Sequence, residues 1–256
     1  MKPRILVIHA SGTNRDREVS WALELAGGNP EIVHINALRD GGSNLLDYQM
    51  LVLPGGFSYG DDLGAGKLWA VALRHRLGQD LEDFVDSGRP VLGICNGYQA
   101  LVKSGFLPAM NGASDQQTTL TRNQSGRFEC RWVDLAPEPA ASSAWVRGLD
   151  GPIYCPVAHG EGRFVADSDV LATIEQEGQV ALRYKVPNDT AAYPANPNGS
   201  ANNIAGITNP AGNILGLMPH PEDHIVPGQH PNKHRGQTSG SGLPLFRNGV
   251  EYAAQT

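Results

Sequence analysis

Long apolar runs are missing from this 256-residue sequence. The opening Met1-Lys2-Pro3-Arg4-Ile5-Leu6-Val7-Ile8-His9 holds too short an apolar run for the hydrophobic core of a signal peptide, and no later segment approaches a membrane span. The expectation is a cytoplasmic protein with no membrane partner. Cysteine is scarce: Cys95, Cys130 and Cys155 are odd in number and form no C-x-x-C pair, which argues against a disulfide framework and suits a reducing compartment. Without secretion, the acceptor patterns Asn123-Gln124-Ser125 and Asn198-Gly199-Ser200 carry no weight. There is no run of basic residues, and the net charge of −6 argues against a nucleic-acid partner. Neither a linker-like stretch nor an internal repeat divides the chain. It reads as one domain over 1–256, with a catalytic core at 3–222, an irregular His/Pro/Gly/Ser-rich segment at 223–240 and a C-terminal helix and tail at 241–256.

What is present is an alternation of strand and helix signals. Arg4–His9 is a continuous apolar run of strand length, and Ser11-Gly12-Thr13-Asn14 supplies turn and N-cap chemistry after it. Val19, Ala22, Leu23 and Ala26 recur at helical spacing before Gly27-Gly28 closes the segment. Glu31–Ile35, Met50–Leu53 and Val91–Ile94 read as strands, and 68–85 as helix interrupted near Gly78. Such alternation predicts a three-layer αβα fold around a doubly wound, mostly parallel sheet. After Gly105 the pattern is mostly β: Thr118–Thr121, Phe128–Val133, Ile153–Val157, Val180–Tyr184, Ile204–Ile207 and Ile214–Met218 are added strands, with Asn209–Asn213 as a hairpin loop. Leu243–Ala253 reads as a last helix.

Functional groups in such sheets collect beyond the carboxyl ends of the strands. There, Gly93-Ile94-Cys95-Asn96-Gly97 reads as a strand running through a sharp bend into a helix at 96–104, the nucleophile-elbow pattern. A Cβ at either flank of that bend would strike a neighbouring strand or helix, and the helix N-terminus favours the Cys95 thiolate. A lone cysteine in an apolar strand is ordinarily a packing residue, and Cys130 and Cys155, which lack this context, are read that way. Two His-x-Glu pairs compete for the role of base, His220-Pro221-Glu222 and His159-Gly160-Glu161. Spacing does not separate them. The prolines bracketing His220 favour it as the fixed base with Glu222 orienting it, whereas glycines around Glu161 suggest a backbone close to a ligand.

A Gly-Gly pair such as that in Pro54-Gly55-Gly56 commonly serves only a tight turn, yet its place beside the elbow makes the Gly56 amide, with that of Asn96, a candidate oxyanion hole. Gly64-Ala65-Gly66-Lys67-Leu68 fails as a phosphate loop, because Asp61 and Leu68 stand where Gly and Ser or Thr are needed. His220 with His224, and His230 with His234, have metal-ligand spacing on a helix, but Pro221, Pro227 and Pro231 forbid that helix. No metal and no cofactor are expected in this chain.

Taken together, Pro54-Gly55-Gly56, Gly93-x-Cys95-x-Gly97-x-Gln99 and His220-Pro221-Glu222 resemble the class I glutamine amidotransferases. Within that class, Gly55–Asp61, Cys95-Asn96-Gly97, Asn123-x-Ser125-x-Arg127-Phe128-Glu129, Ala158–Gly162 and Met218–Glu222 resemble the glutaminase subunits of phosphoribosylformylglycinamidine synthases. The resemblance runs nearly end to end. It implies Cys95 as nucleophile, His220 as base, Glu222 as its orienting carboxylate, and Gln99, His159, Gly160 and Glu161 as residues holding glutamine. It further implies a synthetase subunit as partner, with ATP and Mg²⁺ bound there, and leaves a small third subunit open. Asp223 departs from the family, which usually has Arg after His-Pro-Glu. The elbow and triad by themselves would also fit a free-standing cysteine hydrolase or peptidase, or a catalytically silent regulatory subunit.

Overall fold

The computed structural model describes residues 2–40, 43–110, 112, 115–187, 193–237 and 241–256. Strands β1 (Arg4–His9), β2 (Asn29–His34), β3 (Met50–Leu53) and β4 (Val91–Ile94) alternate with helices α1 (Asp16–Leu25), α2 (Ile35–Arg39), α3 (Lys67–Arg76), α4 (Gly78–Asp86) and α5 (Asn96–Lys103). The expected break near Gly78 is the junction between α3 and α4. The later elements are β5 (Thr118–Thr121), β6 (Glu129–Pro137), β7 (Ile153–His159), β8 (Arg163–Ala166), α6 (Ser168–Gln176), β9 (Val180–Tyr184), β10 (Ile204–Thr208), β11 (Ile214–Leu217) and α7 (Leu243–Ala253).

Nine strands form one sheet in the order β2-β1-β3-β4-β11-β10-β9-β6-β7, and β5 pairs with β8 separately. Pairs from β2 through β11 are parallel, and those from β11 to β7 antiparallel. Fully buried runs such as Ile5–Ile8 and Met50–Leu53 explain the parallel part, because strands covered on both faces need no polar side. The covering is done by α1 with α7 and by α3 with α5, which gives the three-layer αβα fold.

The sequence reading missed α2, β8 and α6, and placed Ile35, which opens α2, in the second strand. Helix α6 is nine residues long and carries Val170, Leu171 and Ile174 on one face, a stripe too short to stand out in the β-rich half. The segment expected to be irregular carries short 3₁₀ turns at Pro227–Gln229 and Lys233–Arg235, and its residues 238–240 lie outside those described. Prolines limit those turns to single rounds. No described helix is long and apolar enough to cross a membrane.

Register brings the candidate residues together. Gly93 pairs with Leu53 and Ile94 with Leu217, so Pro54-Gly55-Gly56, Cys95 and the chain leading to His220 leave the same edge side by side. The backbone N–H of His220 then donates to the Pro156 carbonyl at 2.8 Å, drawing the end of β7 to the same place.

Candidate active site

Cys95 stands between β4 and α5 with φ 49° and ψ −104°, a conformation L-residues avoid at a cost of about 1–3 kcal/mol. The flanking glycines allow it. A Cβ on Gly97 would lie 2.0 Å from the Leu53 carbonyl oxygen, and one on Gly93 would lie 2.5 Å from Leu101. The elbow therefore needs small residues on both sides, and its sulfur reaches a cavity of about 190 Å³ although Cys95 is 5% exposed.

Gly56, Gln99, His159, Gly160 and Glu161 line that same cavity, with Phe57, Asp61, Ala65, Phe128 and Ala158. Candidates from separate stretches of sequence thus meet around one sulfur. His220 and Glu222 stand outside its wall and fully inside the protein. Glu222 Oε1 accepts from His220 Nδ1 at 2.7 Å, and the Cys95 sulfur is the other side-chain group that acts on the ring. Burial works against a charged imidazole here, but the Glu222 carboxylate and the Cys95 sulfur outweigh it and hold His220 well above its ordinary value. A Cβ on Gly55 would come 2.8 Å from His220 Cε1 and 3.4 Å from Cys95 Cβ. That glycine is the floor on which His220 and Cys95 both rest.

His159 has the same spacing to a glutamate and a different environment. The Asn123 amide is oriented by donating from Nδ2 to the carbonyls of Arg127 (2.9 Å) and His159 (2.8 Å), so its Oδ1 is an acceptor. His159 Nδ1 must then donate to that oxygen at 3.1 Å, which leaves Nε2 an acceptor without a partner among the described residues. Burial, reinforced by His220, lowers the His159 pKa to about 3. Its ring is neutral at any working pH. The glycine at 162 serves this ring rather than a ligand, since a Cβ there would meet it at 2.5 Å.

Glu161 turns its carboxylate to the Ala65 N–H at 3.2 Å and accepts at its carbonyl from the Gln99 side chain. The Asn96 side chain is fully engaged, donating to Asp61 Oδ1 at 2.8 Å and Gln99 Oε1 at 3.0 Å while accepting from the Ser58 N–H at 3.0 Å. Its backbone amide lies in the first turn of α5, where N–H groups have no partner within the helix. Around Gly56, Phe57 N–H donates to the Gly12 carbonyl at 3.0 Å and Arg15 N–H to that of Gly55 at 3.3 Å, fixing the turn on either side.

Asp61 escaped the sequence reading as a site residue. Burial raises its pKa against the pull of the Asn96 and Gly66 N–H groups, and its left-handed φ of 52° in a non-glycine residue carries no sequence signal. Of the other cysteines, Cys155 is buried with its thiol pushed well up by that burial and by Glu222, so it is not a second nucleophile. Asp223, where the resemblance expects Arg, faces Arg15 at 3.4 Å.

A sheet edge that assembles an elbow cysteine, a carboxylate-backed histidine and a glycine turn is the arrangement of a glutamine amidotransferase, and residues 2–253 match the CobB/CobQ-like glutamine amidotransferase domain. Phosphoribosylformylglycinamidine synthase subunit PurQ of Treponema denticola is 47% identical over 270 residues, spanning 98% of this chain and 99% of that protein. The same subunit of Dehalococcoides mccartyi is 44% identical over 256 residues, with 99% of each covered. A chain of the PurLQS structure from Thermotoga maritima superposes with TM-score 0.75 at 34% identity, covering 98% of this chain and 99% of that one. The chain belongs to the phosphoribosylformylglycinamidine synthase subunit PurQ family.

Proposed function

We propose that this chain releases ammonia from glutamine and delivers it to a synthetase subunit that converts formylglycinamide ribonucleotide to formylglycinamidine ribonucleotide in purine biosynthesis. The observation that carries this reading is the Cys95 sulfur facing the cavity beside a histidine whose Nδ1 is already bound by a buried carboxylate.

The Cys95 thiolate adds to the side-chain carboxamide carbon of glutamine, and the carbonyl oxygen takes up negative charge. The backbone N–H groups of Gly56 and Asn96 stabilise that oxyanion. His220, protonated at Nε2, gives its proton to the departing nitrogen, and ammonia leaves a γ-glutamyl thioester on Cys95. The now neutral Nε2 removes a proton from water as the water attacks the thioester, glutamate departs and the thiolate is restored. Glu222 keeps the imidazole in one tautomer and stabilises its charged form throughout. Gln99, Gly160 and Glu161 hold the glutamine, and His159 enters as a neutral acceptor.

No chemistry at Cys95 calls for a metal or nucleotide, so ATP and Mg²⁺ are assigned to the synthetase partner, where ATP would phosphorylate the amide oxygen and ammonia would add to that carbon with the oxygen leaving as phosphate. The same reading takes 1–256 as one domain working in the cytoplasm. The packing of α7 on α1 and β3 supports a tail that belongs with the core.

The test is acid quenching of the complex with its synthetase partner during turnover of glutamine, followed by mass spectrometry. The Cys95 peptide is expected to carry a glutamyl adduct, and Cys95→Ala to lose both adduct and ammonia release. Ammonia release that survives Cys95→Ala contradicts the proposal. Fast hydrolysis of γ-glutamyl peptides without any synthetase would favour a free-standing hydrolase.

A further inference from the structure

The turn that follows His220 carries a charge pair for which the chemistry above has no use. Asp223 comes directly after Glu222, and its N–H donates to the His220 carbonyl at 3.2 Å. Its side chain is 19% exposed, enough burial for a second carboxylate here to act strongly on the first. Arg15, between β1 and α1, supplies the answering charge at 3.4 Å across 208 positions of sequence. Arg15 also holds the other half of the site, since its N–H donates to the carbonyl of Gly55, the residue against which His220 packs. The loop before it is stitched to the same turn, with Thr13 Oγ1 and Ser58 Oγ 2.9 Å apart and Gly12 too close to the Phe57 carbonyl to carry a Cβ.

We propose that Arg15 is a positioning residue. Acting through Asp223, it leaves Glu222 as the one uncompensated carboxylate behind His220 and ties that turn to the Gly55-Gly56 turn. This rests on the reading of Cys95, His220 and Glu222 as the working triad.

The groups facing Asp223 are few. Glu222 and His220 lie on its own turn, Arg15 and Glu18 come from the start of α1, and Cys155 comes from β7. Burial and Glu222 raise the Asp223 pKa, while Arg15 and His220 lower it. The guanidinium also faces Glu18 at 3.7 Å, so its removal leaves both Asp223 and Glu18 without that counter-charge, which raises the proton affinity of every group they face. The thiolate–imidazolium pair then forms at higher pH. The Arg15 backbone bond to Gly55 is untouched by side-chain replacement, so charge is what a substitution tests.

The experiment measures ammonia release from glutamine against pH in the complex with the synthetase partner, together with the pH dependence of Cys95 alkylation by iodoacetamide. Arg15→Gln is expected to lower kcat/KM about tenfold and move the acid limb of both profiles up by about half a pH unit or more. Arg15→Lys should restore the wild-type limb. Arg15→Gln with Asp223→Asn should return kcat/KM to within about threefold of wild type, because deleting the second carboxylate removes the need for its counter-charge. Profiles of Arg15→Gln that superpose on wild type overturn the inference. So does a loss that neither Arg15→Lys nor Asp223→Asn repairs, which would mark a structural prop. If the wild-type complex releases no ammonia from glutamine, the functional reading beneath the inference is what fails.

Discussion

His220-Pro221-Glu222 and His159-Gly160-Glu161 have the same spacing and neighbouring positions at the sheet edge, yet the fold gives their imidazoles opposite charge preferences. At the first, a 3₁₀ turn over Pro221–Asp223 curls the glutamate back until its oxygen lies 2.7 Å from Nδ1. At the second, Glu161 is carried off to the Ala65 N–H and the neutral Asn123 amide takes its place. Both rings are buried, so desolvation opposes charge in both, and only the one with a carboxylate in contact overcomes it. Each ring also rests on a glycine, His220 on Gly55 and His159 on Gly162. Spacing in sequence therefore nominates a dyad, while the backbone turn between the two residues makes one.

The largest expected effect comes from breaking the charged pair. Glu222→Gln should lower kcat/KM for glutamine about 10³-fold or more, because the imidazolium loses its counter-charge and its tautomer. Glu161→Gln, in contrast, should raise KM about tenfold and leave kcat within about twofold, as expected for a group that holds substrate without serving the base. Steady-state ammonia release checks both, and equal losses would erase the distinction.

The two glycines give the next contrast. Gly55→Ala pushes His220 off its floor and should lower kcat about 10²-fold through misplacement alone. Gly162→Ala crowds the His159 ring and should lower stability by about 1–3 kcal/mol, read by chemical unfolding, with a smaller loss of kcat.

The smallest effect is on stability against pH, and its sign differs between the rings. The folded pKa of His159 lies below its ordinary 6.5, so the unfolded chain binds a proton that the native state refuses, and stability falls as pH drops from 6.5 towards about 3. His159→Gln should remove up to about 1.4 kcal/mol per pH unit of that slope. The folded pKa of His220 lies above 6.5, so its contribution is complete below 6.5 and disappears as pH rises through the folded value. His220→Asn should accordingly flatten the alkaline side. Unfolding at a series of pH values reads both.

The elbow was legible in the sequence because its constraints are local: Gly93, Cys95 and Gly97 stand within five residues, and their contacts are those a sharp bend demands. His220 was favoured over His159 for a local reason as well, the prolines on either side. What escaped depends on distant partners. Asn123 orients the His159 ring from 36 positions away, and Arg15 meets Asp223 across 208. Neither contact has a periodicity to betray it. The loop 58–66 places Tyr59, Asp61 and Leu63 at positive φ without glycine, so composition hides its shape. Helix α6 was missed for a different reason, since its apolar stripe of Val170, Leu171 and Ile174 is short and lies among strand signals.

The most direct test of the central claim, that one of two equally spaced imidazoles is kept charged for Cys95, is a ¹⁵N NMR titration of the histidine rings assigned with His220→Asn and His159→Gln. The account predicts that His220 remains an imidazolium through neutral pH while His159 stays neutral down to about pH 4. Both rings titrating together near 6.5, or His159 taking the proton first, would contradict it.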